Sequence, residues 1–213
     1  TDALAAIVET RADIPLAQLV VPCVRDALAA LARAQRVALG RVPVVGITGS
    51  AGKTTTRQML EGVLRTLGTG TASPGSFNNE LGVPITLLGA HATDRWVICE
   101  LGTSAPGEIA HLGSIVRPTV VIITGTGRAH LAGFGSEEAI AKEKMALLDE
   151  MAPDGKAFVN IDRPFVKPYV RDDVVTFGVH PDARVRLTAR TPVDGGQEIE
   201  INRSFHARLQ FAG

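Results

Sequence analysis

The sequence is short of cysteine, carries no surplus of either charge and contains no long apolar run. Its 213 residues hold two cysteines, Cys23 and Cys99, too few for a disulfide framework. Neither belongs to a C-x-x-C pair and no H-E-x-x-H occurs, which argues against a structural or protease-type zinc site. Both cysteines lie among apolar neighbours and are expected to be buried filler. Lysine plus arginine and aspartate plus glutamate number 22 each, so no net charge remains. That balance argues against nucleic acid or an acidic membrane as a partner, because both are held by a basic excess. No stretch approaches the ~18 apolar residues of a membrane-spanning helix, and no signal peptide opens the chain. The expected location is the cytoplasm, without membrane insertion. Internal repeats and low-complexity tracts are also absent.

What is present describes a packed chain. Hydrophobic residues make up 45% and charged residues 21%, which supports a globular core and excludes disorder. The length allows one large domain, or one domain plus a fragment of another. Short strands are expected at Ala5–Glu9 and Leu19–Val21, followed by a helix from Val24 to Leu39 with Val24, Ala27, Leu28 and Leu31 on its buried face. From Val44 the pattern alternates. Strands are expected at Val44–Thr48, Trp96–Glu100, Val120–Thr124, Lys156–Asn160 and Val174–Phe177. Helices are expected at Thr54–Leu67, with Leu60, Val63, Leu64 and Leu67 inward, and at Ser136–Met151, with Ser136 as N-cap. Val185–Ala189 and Glu198–Asn202 flank an Asp-Gly-Gly turn and predict a hairpin. Alternating strands and helices place the chain in the α/β class, with a mostly parallel sheet flanked by helices and a small hairpin region near the C-terminus.

The strongest local signal is Thr48-Gly49-Ser50-Ala51-Gly52-Lys53-Thr54-Thr55, set between a strand and a helix. Glycines let successive backbone N–H groups curl around phosphate oxygens, and the following helix turns its positive end to the same anion. Lys53 is expected at the phosphates and the Thr54 hydroxyl at Mg²⁺. The reading is ATP or GTP binding through Gly49, Ser50, Ala51, Gly52, Lys53, Thr54 and Thr55. In parallel sheets ligands gather beyond the carboxyl ends of strands. There the sequence supplies Glu100, a candidate Mg²⁺ ligand, and His130 in the run Thr124–His130. Lys144 falls within the apolar stripe Ile140, Leu147, Leu148 and Met151, where burial would favour the neutral amine. Such an amine can bond a phosphate region or take up CO₂ as a carbamate. Snorkelling to the surface is the commoner outcome for a lysine so placed. Ser73–Pro84 reads as a loop, and its clustered amides Asn78 and Asn79 suit polar ligand groups.

Four motifs occur in one order: Gly49–Thr55, Phe77–Pro84, Glu100-Leu101-Gly102 with Pro106–Ile109, and Ala129-His130-Leu131 with Gly133–Ser136. Together they resemble the ATP-dependent Mur ligases, most closely the MurF type, which add D-alanyl-D-alanine to UDP-N-acetylmuramoyl-tripeptide. The resemblance implies a P-loop NTPase-like central domain at 41–213 and the C-terminal part of the N-terminal UDP-substrate domain at 1–40. It also implies dependence on a C-terminal domain, and ATP with Mg²⁺ as cofactors. Carried over by position, Lys53, His130 and Lys144 would be catalytic, and Thr54, Glu100, His130 and Lys144 would serve metal; Lys144 matches a lysine that is carbamylated in several members of the family. Asn78 and Asn79 would face the substrate, UDP-MurNAc-peptide, to which D-Ala-D-Ala is joined through an acyl phosphate. The chain departs from the family pattern at Gly125, Arg128 and Ala132. Other amide ligases of the same fold, of the folylpolyglutamate or cyanophycin synthetase type, and a non-catalytic nucleotide-binding module are the alternatives.

Overall fold

The computed structural model describes residues 3–127 and 131–210. Two short strands, β1 (Ala5–Val8) and β2 (Ala17–Val20), pair in parallel ahead of helix α1 (Val24–Ala38). The main body then alternates strand and helix. In chain order come β3 (Val44–Thr48), α2 (Lys53–Leu64), β4 (Thr71–Ala72), α3 (Gly82–Leu88), β5 (Val97–Glu100), α4 (Glu108–Val116) and β6 (Val120–Ile123). They are followed by α5 (Leu131–Phe134), α6 (Glu137–Met145), β7 (Lys156–Asn160), β8 (Val174–Gly178), β9 (Val185–Val193), β10 (Gly196–Ile201) and β11 (Phe205–Gln210).

The described strands of this body form one sheet in the order β11-β10-β9-β8-β7-β6-β3-β5-β4. From β4 to β9 every pairing is parallel, and β10 and β11 extend the sheet antiparallel. Strand β3 is central and wholly buried. Its side chains alternate between two cores, as the two-residue period of a strand requires. Val44 joins one core, built with α1, α3, α4 and α6. Val45 and Ile47 join the other, with Ile98, Trp96 and the α2 residues Leu60 and Leu64. A strand covered on both faces has no place for polar alternation, hence the β-branched run.

Two helices match the faces their apolar spacing predicts only in part, Leu60 and Leu64 packing on the core as expected, and each also buries an arginine. On α1 the buried positions are Ala29, Ala32 and Arg36, while Leu31 is exposed. Arg36 donates through Nε to the Val116 carbonyl at 2.8 Å and through Nη2 to that of Arg117 at 3.0 Å. It thus caps the unsatisfied C-terminal end of α4. Burial, then the charge of Arg117, pulls this guanidinium below its usual range. On α2 the buried residue is Arg57, and Val63 and Leu67 point to solvent.

Several elements differ in extent from the expectation. The helix expected to Met151 ends as α6 at Met145 and tightens into a 3₁₀ turn over Ala146–Leu148. The stretch read as a loop to Pro84 already contains the start of α3, and α4, β4 and β11 carry too short a pattern to be read. The hairpin is longer than expected: β9 and β10 are joined by Asp194-Gly195 alone. Cys99 is fully buried, and burial pushes its thiol up to about 12. Cys23 departs from the filler expectation, being only half-buried, on the rim of a cleft. Among the described residues no helix is long and apolar enough to cross a membrane.

Candidate active site

The carboxyl ends of β3 and β5 open into a cleft of about 980 Å³. Strand β3 delivers the loop Gly49–Gly52 and then α2. Gly49 has a φ of +155°, and a Cβ there would run into the Thr124 hydroxyl, so the tight turn demands glycine. The N-cap of α2 is Gly52, which has no side chain to cap the first-turn N–H groups. Those donors and the helix dipole are left for an anion. The loop is braced from β6: Thr124 Oγ1 donates to the Ala51 carbonyl at 2.6 Å, and the Ser50 N–H donates to the Gly125 carbonyl at 2.9 Å. Gly125 holds a φ of +152°, which gives a physical reason for glycine at this departure from the family pattern.

At the base of the loop lies a buried polar chain. Glu100, 1% exposed at the end of β5, accepts from the Thr54 hydroxyl at 2.9 Å and from Asn78 Nδ2 at 3.1 Å. Arg57 brings Nε to 3.9 Å from the same carboxylate and binds Glu61 at 3.0 Å through Nη1. That Nε has no hydrogen-bond partner among the described residues, and neither do the buried hydroxyls of Thr48 and Thr126. Arg57 carries no sequence motif; only its place on the buried face of α2 reveals it. Asn79 is turned the other way, accepting from the N–H groups of Leu81 and Gly82 at 3.2 and 2.9 Å to start α3.

The donors at Glu100 and Thr54 are hard oxygens, which suit Mg²⁺. Among the described residues no group of three His, Cys, Asp or Glu side chains could hold a metal alone. A cation here would complete its shell from phosphate and water, as Mg²⁺ does in nucleotide sites.

Lys53 and Lys144 line the same cleft. Lys53 Nζ donates to the Gly49 carbonyl at 2.9 Å. Lys144 does not snorkel: it is 2% exposed and has no hydrogen bond or ion pair among the described residues. Burial, then the Lys53 charge, lowers its amine to about 8, with Glu143 opposing. Lys142, two residues earlier, is exposed. His130 lies outside the described residues. The structure therefore brings together Gly49, Lys53, Thr54, Glu100, Asn78 and Lys144, and gives the Asn79 side chain a local structural partner.

Comparison with known proteins gives a consistent result. Residues 47–213 match the family described as Mur ligase middle domain. Over 142 residues the chain is 43% identical to the UDP-N-acetylmuramoyl-tripeptide–D-alanyl-D-alanine ligase of Mycobacterium leprae, covering 66% of this chain and 28% of that protein. The crystal structure of MurF from Acinetobacter baumannii superposes with a TM-score of 0.88 at 32% identity, over 97% of this chain and 47% of that one. MurF from Thermotoga maritima in complex with ADP gives 0.84 at 30%, over 98% and 49%. The chain thus spans less than a third of the curated relative and about half of the solved ones. It belongs to the Mur ligase family, with the family's middle domain at residues 47–213.

Proposed function

We propose that this chain is the nucleotide-binding centre of an ATP-dependent ligase that joins D-alanyl-D-alanine to UDP-N-acetylmuramoyl-tripeptide. The observation that carries the reading is the uncapped start of α2 beside the buried Thr54–Glu100–Asn78 chain, with Lys53 and Lys144 lining one cleft. The names of the relatives supply the substrates. Residues 41–213 act as the central domain and 1–40 as the end of the UDP-substrate domain. Helix α1 links the two, since Ala29 and Ala32 sit in the central core. A C-terminal domain would complete the site.

In this reading the α2 N-terminus and Lys53 hold the phosphates of ATP, and Lys53 balances charge on the group being transferred. Mg²⁺ held by Thr54 and Glu100 would withdraw charge from the phosphate oxygens. Asn78 keeps the Glu100 carboxylate oriented toward Thr54. A substrate carboxylate oxygen attacks the γ-phosphorus and ADP leaves, giving an acyl phosphate. The incoming amine then attacks the carbonyl carbon, and inorganic phosphate departs as the tetrahedral adduct collapses and the nitrogen loses its proton. The cleft contributes by holding carboxylate and phosphate in line. Lys144 faces Lys53, whose charge helps its ammonium lose a proton. The neutral amine could then take up CO₂ with loss of a second proton, and the resulting carbamate anion would attract Lys53 where the ammonium repelled it. His130 is assigned to the metal region by its motif alone.

The test uses the intact protein with ATP, Mg²⁺, UDP-MurNAc-tripeptide and D-Ala-D-Ala, reading phosphate release and ligated product together. Lys53→Ala should lower turnover by roughly 10²–10³-fold. Absence of ligated product from the wild type, or a Lys53→Ala variant within twofold of it, would overturn the reading.

A further inference from the structure

Glu143 is a carboxylate in the wrong place for an ordinary helix surface. It lies on α6, only 8% exposed, immediately before Lys144. Its oxygens accept from the Gly107 N–H at 2.7 Å and the Ile109 N–H at 2.8 Å, with the Thr103 hydroxyl, which donates to the Ala105 carbonyl at 2.8 Å, 3.4 Å away. Gly107 is the N-cap of α4 and has no side chain, so the acid of a distant helix caps the first turn. Capping from more than thirty residues away joins two walls of the cleft. Thr103 and Gly107 line one side, and Lys144 lines the same cavity from α6. The turn is further held by Glu108, whose carboxylate accepts from the Ser104 and Ala105 N–H groups at 2.6 and 3.1 Å.

Adjacent residues on a helix project about 100° apart. A grip on Glu143 therefore fixes the rotation of α6 about its axis and, with it, the direction of Lys144. The buried residues Ile140, Ala141 and Met145 restrain the same rotation by packing. Glu143 adds the hydrogen-bonded restraint on the cleft side, next to an amine that itself has no hydrogen bond or ion pair among the described residues. We propose that Glu143 is a positioning residue: by capping α4 from α6 it aims the Lys144 side chain into the nucleotide cleft. This rests on the reading of Lys144 as a functional group of that cleft. Loss of a partner that orients a working group typically costs roughly 10–100-fold in activity.

Three variants of the intact protein test it: Glu143→Gln, which keeps shape but presents an N–H₂ to one backbone donor; Glu143→Asp, which keeps charge but is one methylene shorter; and Lys144→Ala. Lys144→Ala with turnover equal to wild type, with or without added bicarbonate, would overturn the underlying reading of Lys144. If Lys144→Ala is impaired, the Glu143 variants decide the proposal. Both should bind ADP within about twofold of wild type, while turnover at saturating ATP falls roughly 10–100-fold with KM for ATP unchanged. The bicarbonate concentration giving half-maximal rate should rise in the same proportion. Turnover and bicarbonate response like wild type in either variant would overturn the proposal. So would a loss of turnover matched by equal losses of ADP affinity and thermal stability, since a purely structural cap would move all three.

Discussion

The two ends of the sheet treat charge in opposite ways. Around the cleft, Glu100, Lys144, Arg57 and Glu143 are 1%, 2%, 7% and 8% exposed. At the far edge, no residue of β9, β10 or β11 is buried as a whole, and charged residues oppose each other across the ladder, Glu198 beside Arg208. Burying an ion is costly unless it is paired and hydrogen-bonded. The cleft meets that cost with a connected set of partners for its acids and leaves the Nε of Arg57 without a hydrogen-bond partner among the described residues, as the Nε of Arg186 on β9 is also left. Buried charges gather around the cleft, where chemistry can use them, whereas at the far edge the charged residues reach solvent, although the Nε of Arg186 is itself buried there.

The comparison breaks first at Arg57. Its guanidinium lies between Glu61 and Glu100, at 3.0 and 3.9 Å, and is the cation paired with the buried Glu100 carboxylate. Arg57→Met would leave that buried acid without its paired counter-charge. Removing one partner of a buried pair costs about 3–5 kcal/mol. Chemical denaturation of the intact protein should show a fall of that order in the transition that includes this domain. A fall below about 1 kcal/mol would mean that the pair is solvated in practice and that the two ends of the sheet do not differ as described.

Arg57 also marks where the sequence stops being legible. Strands β3, β5, β6, β7 and β8 and the phosphate loop are readable because β-branched runs and a glycine-lysine-threonine pattern each have one physical interpretation. Lys144 is readable as an anomaly, a lysine at an apolar position, although its burial is not. The inward faces of α1 and α2 are read only in part: Leu60 and Leu64 do pack on the core, but Leu31, Val63 and Leu67 do not, because apolar spacing assumes that the core takes only apolar residues. Arg36 and Arg57 enter it by satisfying carbonyls and carboxylates from other elements. Glu143 escapes for the same reason: its partners are 34 and 36 residues away. The helices α3 and α4 have seven and nine residues, too short for a period to declare itself. The hydroxyl of Thr54 and the amide of Asn78 were both legible as candidates, yet only the fold shows that they share one carboxylate.

Lys144 sharpens the comparison through pH. Its amine falls from 10.5 to about 8 in the fold, by burial first and Lys53 second. Between those values the unfolded chain binds more protons than the folded one, so stability from this group rises with pH. Below about 8 both states are protonated and the folded state bears the full penalty, on the order of 3 kcal/mol for a shift of this size. In bicarbonate-free buffer, Lys144→Met should therefore stabilise the protein at pH 7, and the gain should shrink toward pH 10. A gain independent of pH would assign the effect to packing and not to buried charge.

The far edge supplies the smallest effect and the control for the others. Glu198 is exposed and opposes Arg208 in register, while Arg208 separately donates through Nη2 to the Asp194 carbonyl at 2.7 Å. Water already solvates both charges, so little Coulomb energy is at stake, and salt screens what remains. Glu198→Ala should change unfolding free energy by no more than about 0.5 kcal/mol and leave ATP-dependent turnover as it was. The same substitution should also be insensitive to ionic strength within that range. If Glu198→Ala cost as much as Arg57→Met, exposure would not be what separates the two ends. The buried charges of the cleft would then need an explanation other than desolvation.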